Sequence, residues 1–376
     1  MHRTVTPLIT VVLLLVALGM LVLMSASSER GVDASYFVQR QFIWLLLSFV
    51  AAILVARLDY RFYEKALIPL ALASITLLIL VRIPGIGKMV NGSWRWLQVG
   101  PMTIQPSEFA KPVFLIVMAW WLSRNLRRID EIRQGVAIPV VLLGCFAIPI
   151  LVEPDYGTTL LISVVGICLM LIAGAPIGPL SAVAVAGLSG VAGLIFQNPE
   201  RMGRIMAFLD PQTHEQGKAW QLANSLRAFA SGEMFGVGFG NSFQKYHYLP
   251  EAHTDFIFPI IGEELGLIAS LLVVSLYLIL FLVGMRVARH AQDHFGRFLA
   301  HGIALMIALQ ALINFAVVTG SAPTKGLALP FISYGGSSIM ASSIMFGILL
   351  NIAIDAERGR GNHRRRLFKD RSRKAS

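Results

Sequence analysis

The chain has 376 residues, of which 56% are hydrophobic and only 14% charged, with a mean hydropathy of +0.68; an ordinary soluble domain carries about 25% charge. That excludes soluble multidomain, disordered, collagen-like and disulfide-scaffold classes, since Cys145 and Cys168 both lie in apolar runs and too few polar residues exist to cover soluble surfaces. The net charge of +11 is not a nucleic-acid signal, because residues 358–376 hold nine Lys/Arg and one acid, leaving +3 for the rest. A basic tail after the last apolar segment reads as a cytoplasmic anchor against anionic lipid. The expected class is an all-α polytopic integral membrane protein.

Crossing the hydrocarbon takes about 20 apolar residues as a helix. Ten segments qualify: 7–26, 41–57, 65–82, 107–124, 136–152, 158–174, 178–197, 261–286, 299–320 and 334–354. The first has small residues at Met24–Ser27 where a signal peptidase could cut. Its long apolar core and nine following spans favour an uncleaved helix. Residues 1–357 then form one transmembrane domain and 358–376 the tail. With the N-terminus inside, inner segments hold Arg3, then Arg57, Arg61 and Lys65, then Arg124, Arg127, Arg128 and Arg133, then Arg286, Arg289 and Arg297, and the nine of the tail. The outer loops hold 11, and Lys111 lies in a span. This excess places both termini in the cytoplasm.

Two outer loops stand out, 83–106 and 198–260. The second is too long for a bare connector. Within it, Gly217–Arg227 has helical spacing and is followed by a glycine-rich turn, Gly236–Gly240. Function is expected on the outer face.

Ionisable residues at spans are costly and normally face protein or a wet cavity. Glu108 and Lys111 share a face of the fourth span at i, i+3, either as a neutralising packing pair or as the lining of a polar cavity. Glu153-Pro154-Asp155 joins the fifth and sixth spans as a solvated turn or a cation-binding one, and Glu263 and Glu264 at the eighth span allow the same two readings. His247, Glu251, His253 and Asp255 crowd into nine residues ahead of the eighth span. A carboxylate at an apolar lip tends to a raised pKa, which suits a general base; the spacing fits no standard metal site. In Pro323–Ser338, Lys325, Ser337 and successive N–H groups can hold a phosphate near a helix start, or the small residues simply pack helices.

These residues carry a resemblance. YLPEAHTDFIF (248–258), IGEELG (261–266), PTKGLALPFISYGGSS (323–338), QPSEFAK (105–111) and EPDYGTT (153–159) resemble the SEDS family of bacterial cell-wall synthesis, in family order along nearly the whole chain. GVGFGNSFQKYHYLPEAHTDFIF (236–258) is more similar to the division branch than to the elongation branch. Pro259 after FIF and Ala322 before PTKG depart from the family pattern, and Pro259 is a candidate kink.

The resemblance implies a peptidoglycan glycosyltransferase that polymerises lipid II at the septum, with its functional aspartate at Asp255. Chemistry agrees: pyrophosphate leaves readily once neutralised, so one base on the attacking hydroxyl can suffice. Lys88, Arg95, Arg201, Arg204, Lys245 and Lys325 are candidates for the pyrophosphate, with Arg95, Arg204 and Lys325 favoured. Glu108, Lys111, Lys245, His253 and Ser337 would line the substrate site. No particular cofactor is indicated, and a divalent ion, Mg or Mn, bridging phosphate and carboxylates is left open. Trp94, Trp96 and Tyr248 are candidate interface anchors. Implied partners are lipid II, the bilayer, a class B penicillin-binding protein of the FtsI type and division proteins of the FtsQ, FtsL and FtsB types, with the inner membrane as location. The rival readings are a lipid II flippase, a scaffold, or the elongation-type polymerase.

Overall fold

The computed structural model describes residues 4–27, 34–90, 93–100, 102–197, 199–210, 219–244, 253–323 and 326–374. A helix occupies each of the ten apolar segments: α1 (Val5–Ser27), α2 (Ala34–Arg57), α4 (Leu67–Leu80), α5 (Pro106–Arg124), α6 (Ile138–Val152), α7 (Tyr156–Ala173), α8 (Ile177–Phe196), α11 (Ile257–His290), α12 (His294–Val318) and α13 (Gly336–Lys374). A short α3 (Phe62–Lys65) precedes α4, and α9 (Pro199–Leu209) and α10 (Trp220–Gly232) lie in the long loop. Among the described residues eight helices are long and apolar enough to cross a membrane. Of the other two, α4 spans only 14 residues, and α5 is made less apolar by Glu108 and Lys111.

That less apolar helix is the centre of the molecule. Ala110, Phe114, Leu115, Met118, Ala119 and Leu122 of α5 have no exposure, because α4, α6, α7, α12 and α13 all pack on it. Gly302 of α12 permits close approach, since a Cβ there would lie 2.8 Å from Leu115 Cδ2. A helix enclosed by protein can hold charges that a lipid-facing one could not. Apolar side chains outside this core remain exposed in number, such as Phe42, Phe49 and Leu54 on α2 and Val185 and Leu188 on α8, as lipid-facing surfaces require.

The outer loop at 83–106, for which no strands are expected from sequence, folds as a three-stranded antiparallel sheet in the order β1 (Gly87–Val90), β2 (Ser93–Val99), β3 (Met102–Ile104). Leu97 of β2 stands between Gly87 and Ile104 in the register. The alternation in Ser93-Trp94-Arg95-Trp96-Leu97 carries the strand signal.

The expected helix in the long loop forms as α10, Trp220–Gly232, and Gly217 and Lys218 of the expected segment lie outside the described residues. The chain after it repairs a break in α11. Pro259 does not bend that helix: it sits in the first turn, where a missing N–H costs nothing. The break falls at Gly266, with φ 77° and ψ −174°. Breaking a helix frees carbonyls before the break and N–H groups after it, and buried backbone groups must find partners. Here Val237 and Gly238 donate to the Glu263 and Glu264 carbonyls at 2.9 and 3.1 Å, while Leu267 and Ile268 donate to Glu233 and Met234 at 2.9 and 3.4 Å.

The two acids beside the break serve the same joint. Glu263 and Glu264 are each 1% exposed. The Glu263 carboxylate accepts from Ser242 Oγ and from the Phe243 and Gln244 N–H groups, and Glu264 accepts from Ser25 Oγ. Neither is a solvated loop acid. They fasten the glycine turn and α1 to the head of α11.

Candidate functional site

Asp255 stands in the turn 253–256, immediately before α11. Its carboxylate lies against Gly326, so close that a Cβ on that glycine would be 2.7 Å from Oδ2. Its backbone is held by α12: Asn314 Nδ2 donates at 2.8 Å to the Asp255 carbonyl and at 2.8 Å to the Leu327 carbonyl. One side-chain amide therefore joins the aspartate's turn to the loop that faces it.

One turn earlier on α12, Gln310 makes the companion link. Its Nε2 donates to the Ala328 carbonyl at 2.7 Å, and its Oε1 accepts from Lys111 Nζ at 3.0 Å. Lys111 in turn pairs with Glu108 at 2.7 Å. With Lys111 unexposed and Glu108 at 6%, the pair is part of the protein interior, wired through Gln310 to Ala328. Gln310 and Asn314 were not singled out from sequence. Two amides one helical turn apart inside an apolar span are the signal that could have found them.

His253 is tied to the same loop. Its carbonyl accepts from Tyr334 N–H at 2.9 Å, and its ring lies 4.9 Å from that of Phe37 and 5.5 Å from that of Tyr334. Ser337, in the first turn of α13, accepts from the Gln105 N–H at 3.0 Å. The Gln105 side chain reaches Ser107 at 3.0 Å and Asp155 at 3.4 Å, and Asp155 caps α7 by accepting from Thr158 N–H at 3.1 Å. The starts of α5, α7 and α13 thus meet. Leu327 packs on Gly157 of α7, bringing those starts beside the Asp255 loop. Helix N-termini present N–H groups and positive dipole ends, which together attract anions.

The remaining expected residues stand elsewhere. Arg95 of β2 donates through Nε and Nη2 to the Glu153 and Pro154 carbonyls at 2.7 and 2.6 Å, while Arg82 reaches the Val152 carbonyl at 2.8 Å. Arg95 is therefore engaged in strapping the sheet to the end of α6. Lys88 bonds Gln98 at 3.4 Å. Trp94 and Trp96 are half-buried on β2. Arg201 and Arg204 fall on α9, with side chains outside the described set, and Lys245, His247, Tyr248, Glu251 and Lys325 lie outside the described residues altogether. Among the described residues no three His, Cys, Asp or Glu side chains gather as metal ligands.

The Glu153–Asp155 turn is not solvated: Glu153 has no exposure and Asp155 only 6%. Both Glu153 carboxyl oxygens lack a hydrogen-bond partner among the described residues. Burial, and then the nearby Asp155 charge, push its pKa up to about 8 against the pull of Arg95 and Arg82.

The fold and this site define a polytopic SEDS membrane protein, and the chain belongs to the FtsW/RodA/SpoVE family of cell cycle proteins, whose family model matches residues 5–358. It is 41% identical to a probable peptidoglycan glycosyltransferase FtsW of Trichlorobacter lovleyi, covering 92% of both chains. It is 40% identical to the protein of the same name from Coxiella burnetii, covering 91% of this chain and 94% of that one. Among solved structures it resembles one described as showing structural coordination of polymerization and crosslinking by a peptidoglycan synthase complex, with a TM-score of 0.78, 27% identity and coverage of 93% and 97%. The rod shape determining protein RodA of Thermus thermophilus is similar at a TM-score of 0.70 and 27% identity, over 93% of this chain and 96% of that one.

Proposed function

We propose that this chain is a division-type peptidoglycan glycosyltransferase that polymerises lipid II at the outer face of the plasma membrane, with Asp255 as general base. The observation that carries the reading is the seating of Asp255 at the head of α11, beside the joined starts of α5, α7 and α13. Those N-termini suit the pyrophosphate of an undecaprenyl-linked sugar, and Asp255 is placed to serve the incoming hydroxyl. Asp255 takes the proton of the acceptor 4-hydroxyl as its oxygen bonds to the donor's anomeric carbon. The bond from that carbon to the pyrophosphate oxygen breaks, and configuration inverts. General base assistance of this kind contributes typically ~10²–10⁴-fold.

Residues 1–357 act as one transmembrane domain with both termini cytoplasmic, and 358–376 as a basic tail on anionic lipid. A class B penicillin-binding protein supplies crosslinking in trans, a reading supported by the likeness to a chain of a peptidoglycan synthase complex; septal proteins of the FtsQ, FtsL and FtsB types complete the setting. The test incubates the purified chain, with its cognate penicillin-binding partner, with labelled lipid II. Glycan ladders from wild type and none from folded Asp255→Asn are expected. Movement of lipid II across vesicles without any ladder would instead make the chain a transporter.

A further inference from the structure

The mechanism uses Asp255 but leaves unexplained why two carboxamides stand in the apolar interior of α12. Gln310 is 1% exposed and Asn314 2%, and a buried polar group is costly unless its hydrogen bonds are made. The bonds that their NH₂ groups donate all go to one place. Asn314 bridges the carbonyls of Asp255 and Leu327 with a single NH₂ group, and Gln310 holds the next carbonyl, that of Ala328. The orientation of each amide follows from these partners, since only the nitrogen can donate to a carbonyl. Next to Leu327 in the chain is Gly326, whose missing side chain is the space against which the Asp255 carboxylate rests.

Asn314 also keeps its Oδ1 buried and without a hydrogen-bond partner among the described residues, so its retention cannot be attributed to a fully satisfied network. A leucine, which shares the branching of asparagine, would avoid that unmade bond but would leave the two carbonyls without this donor. What leucine could not do is hold two carbonyls from separate segments at one distance from α12.

We propose that Asn314 is a positioning residue for Asp255, with Gln310 as its second anchor: the amide pair fixes the 326–328 loop and the turn 253–256 as one unit, setting where the base stands relative to the acceptor hydroxyl. This rests on the reading of Asp255 as the base. Lys111, paired with Glu108, holds Gln310 Oε1 and thereby turns its NH₂ group towards Ala328. The buried ion pair thus orients an anchor two steps removed from the reacting atoms. A carboxylate displaced by a fraction of an ångström keeps its charge and its substrate but loses alignment with the hydroxyl, and misplacement by about 1 Å can cost ~10²-fold.

The test compares steady-state lipid II polymerisation by the full chain with its penicillin-binding partner for wild type, Asn314→Leu, Asn314→Asp and Asp255→Asn, and for Asn314→Leu combined with Asp255→Asn. Asn314→Asp is nearly isosteric, so it keeps the packing while replacing the donor with an acceptor facing two carbonyls. It serves should the leucine variant fail to elute as a folded, partner-bound protein. The expected result is a kcat lowered about 10- to 100-fold in either Asn314 variant, with KM for lipid II within about threefold. In the Asp255→Asn background, Asn314→Leu should lower the residual rate no further, since effects on one unit are not additive. A wild-type kcat in folded Asn314→Leu and Asn314→Asp overturns the positioning role while leaving the base reading intact. A raised KM with unchanged kcat does the same, by making Asn314 a binding residue. A further loss in the Asp255→Asn background would show that Asn314 acts elsewhere. Wild-type activity in Asp255→Asn itself removes the base reading, and the proposal with it.

Discussion

Gly326 offers a way to move the base without touching it. Replacing Gly326 with alanine places a methyl carbon 2.7 Å from Asp255 Oδ2 and 3.7 Å from its Cγ. A carbon and an oxygen settle no closer than about 3.3 Å, so the carboxylate must retreat by roughly 0.6 Å. The Gly326 backbone is outside the left-handed region, so alanine adds no backbone strain of its own. If about 1 Å of misplacement costs ~10²-fold, this retreat should lower kcat about tenfold, or about 1.4 kcal/mol of barrier. The assay is the rate of glycan formation from labelled lipid II at saturating substrate. Gly335→Ala is the matched comparison from the same loop, because its new methyl meets only Ser338 Cβ at 3.7 Å; it should keep the wild-type rate. A folded Gly326→Ala enzyme as fast as wild type would refute the placement of Asp255 against this loop.

Other perturbations report on the frame that holds the site. Glu153 is raised from 4.5 to about 8, so the folded chain keeps a proton that the unfolded chain releases. Its contribution is full below about pH 4.5 and is lost as pH rises through about 8. Glu153→Gln should therefore flatten the decline of Tm between about pH 5 and 8, and an unchanged pH slope would contradict the burial of an uncompensated carboxyl. Lys111→Met leaves Glu108 buried without its cation. Breaking such a pair typically costs about 3–5 kcal/mol, while removing both charges costs far less, so Glu108→Leu combined with Lys111→Met should melt above the single variant in a detergent thermal shift. Gly266→Ala forces a Cβ to 2.5 Å from Gly236 N and Met234 O at φ +77°. It should lower Tm and open the 233–238 segment to limited proteolysis before the rest of the chain.

The helices were legible because a bilayer imposes a length and a polarity that composition records directly, and every one of the ten apolar segments is a helix. The sheet was harder to read because strands of three to seven residues carry little periodic signal, although Trp94-Arg95-Trp96 alternates. From sequence, Pro259 is the candidate for a kink at the entry of the eighth span. The structure places that proline where the first helical turn has no use for its N–H, and puts the break at Gly266, which needs a partner segment 30 residues upstream in the chain. That partnership is tertiary, and so is the burial of Glu153, Glu263 and Glu264, which resemble solvated acids until their surroundings are known. For the same reason Arg95 read as a phosphate ligand and is found engaged with the carbonyls of the α6–α7 turn. Motif residues point to the proposed site. The amides that hold it, Gln310 and Asn314, lie about 60 residues from Asp255 and belong to no charged cluster.

The most direct test of the account is the single-turnover rate of glycosyl transfer as a function of pH, measured for wild type and for Asp255→Asn with the penicillin-binding partner present. A general base must be ionised to act, so the wild-type rate should fall on the acid side. The asparagine variant should be slower by about 10²–10⁴-fold and should lack that limb. An Asp255→Asn enzyme that transfers at the wild-type rate with the same acid limb would contradict the assignment and place the base elsewhere.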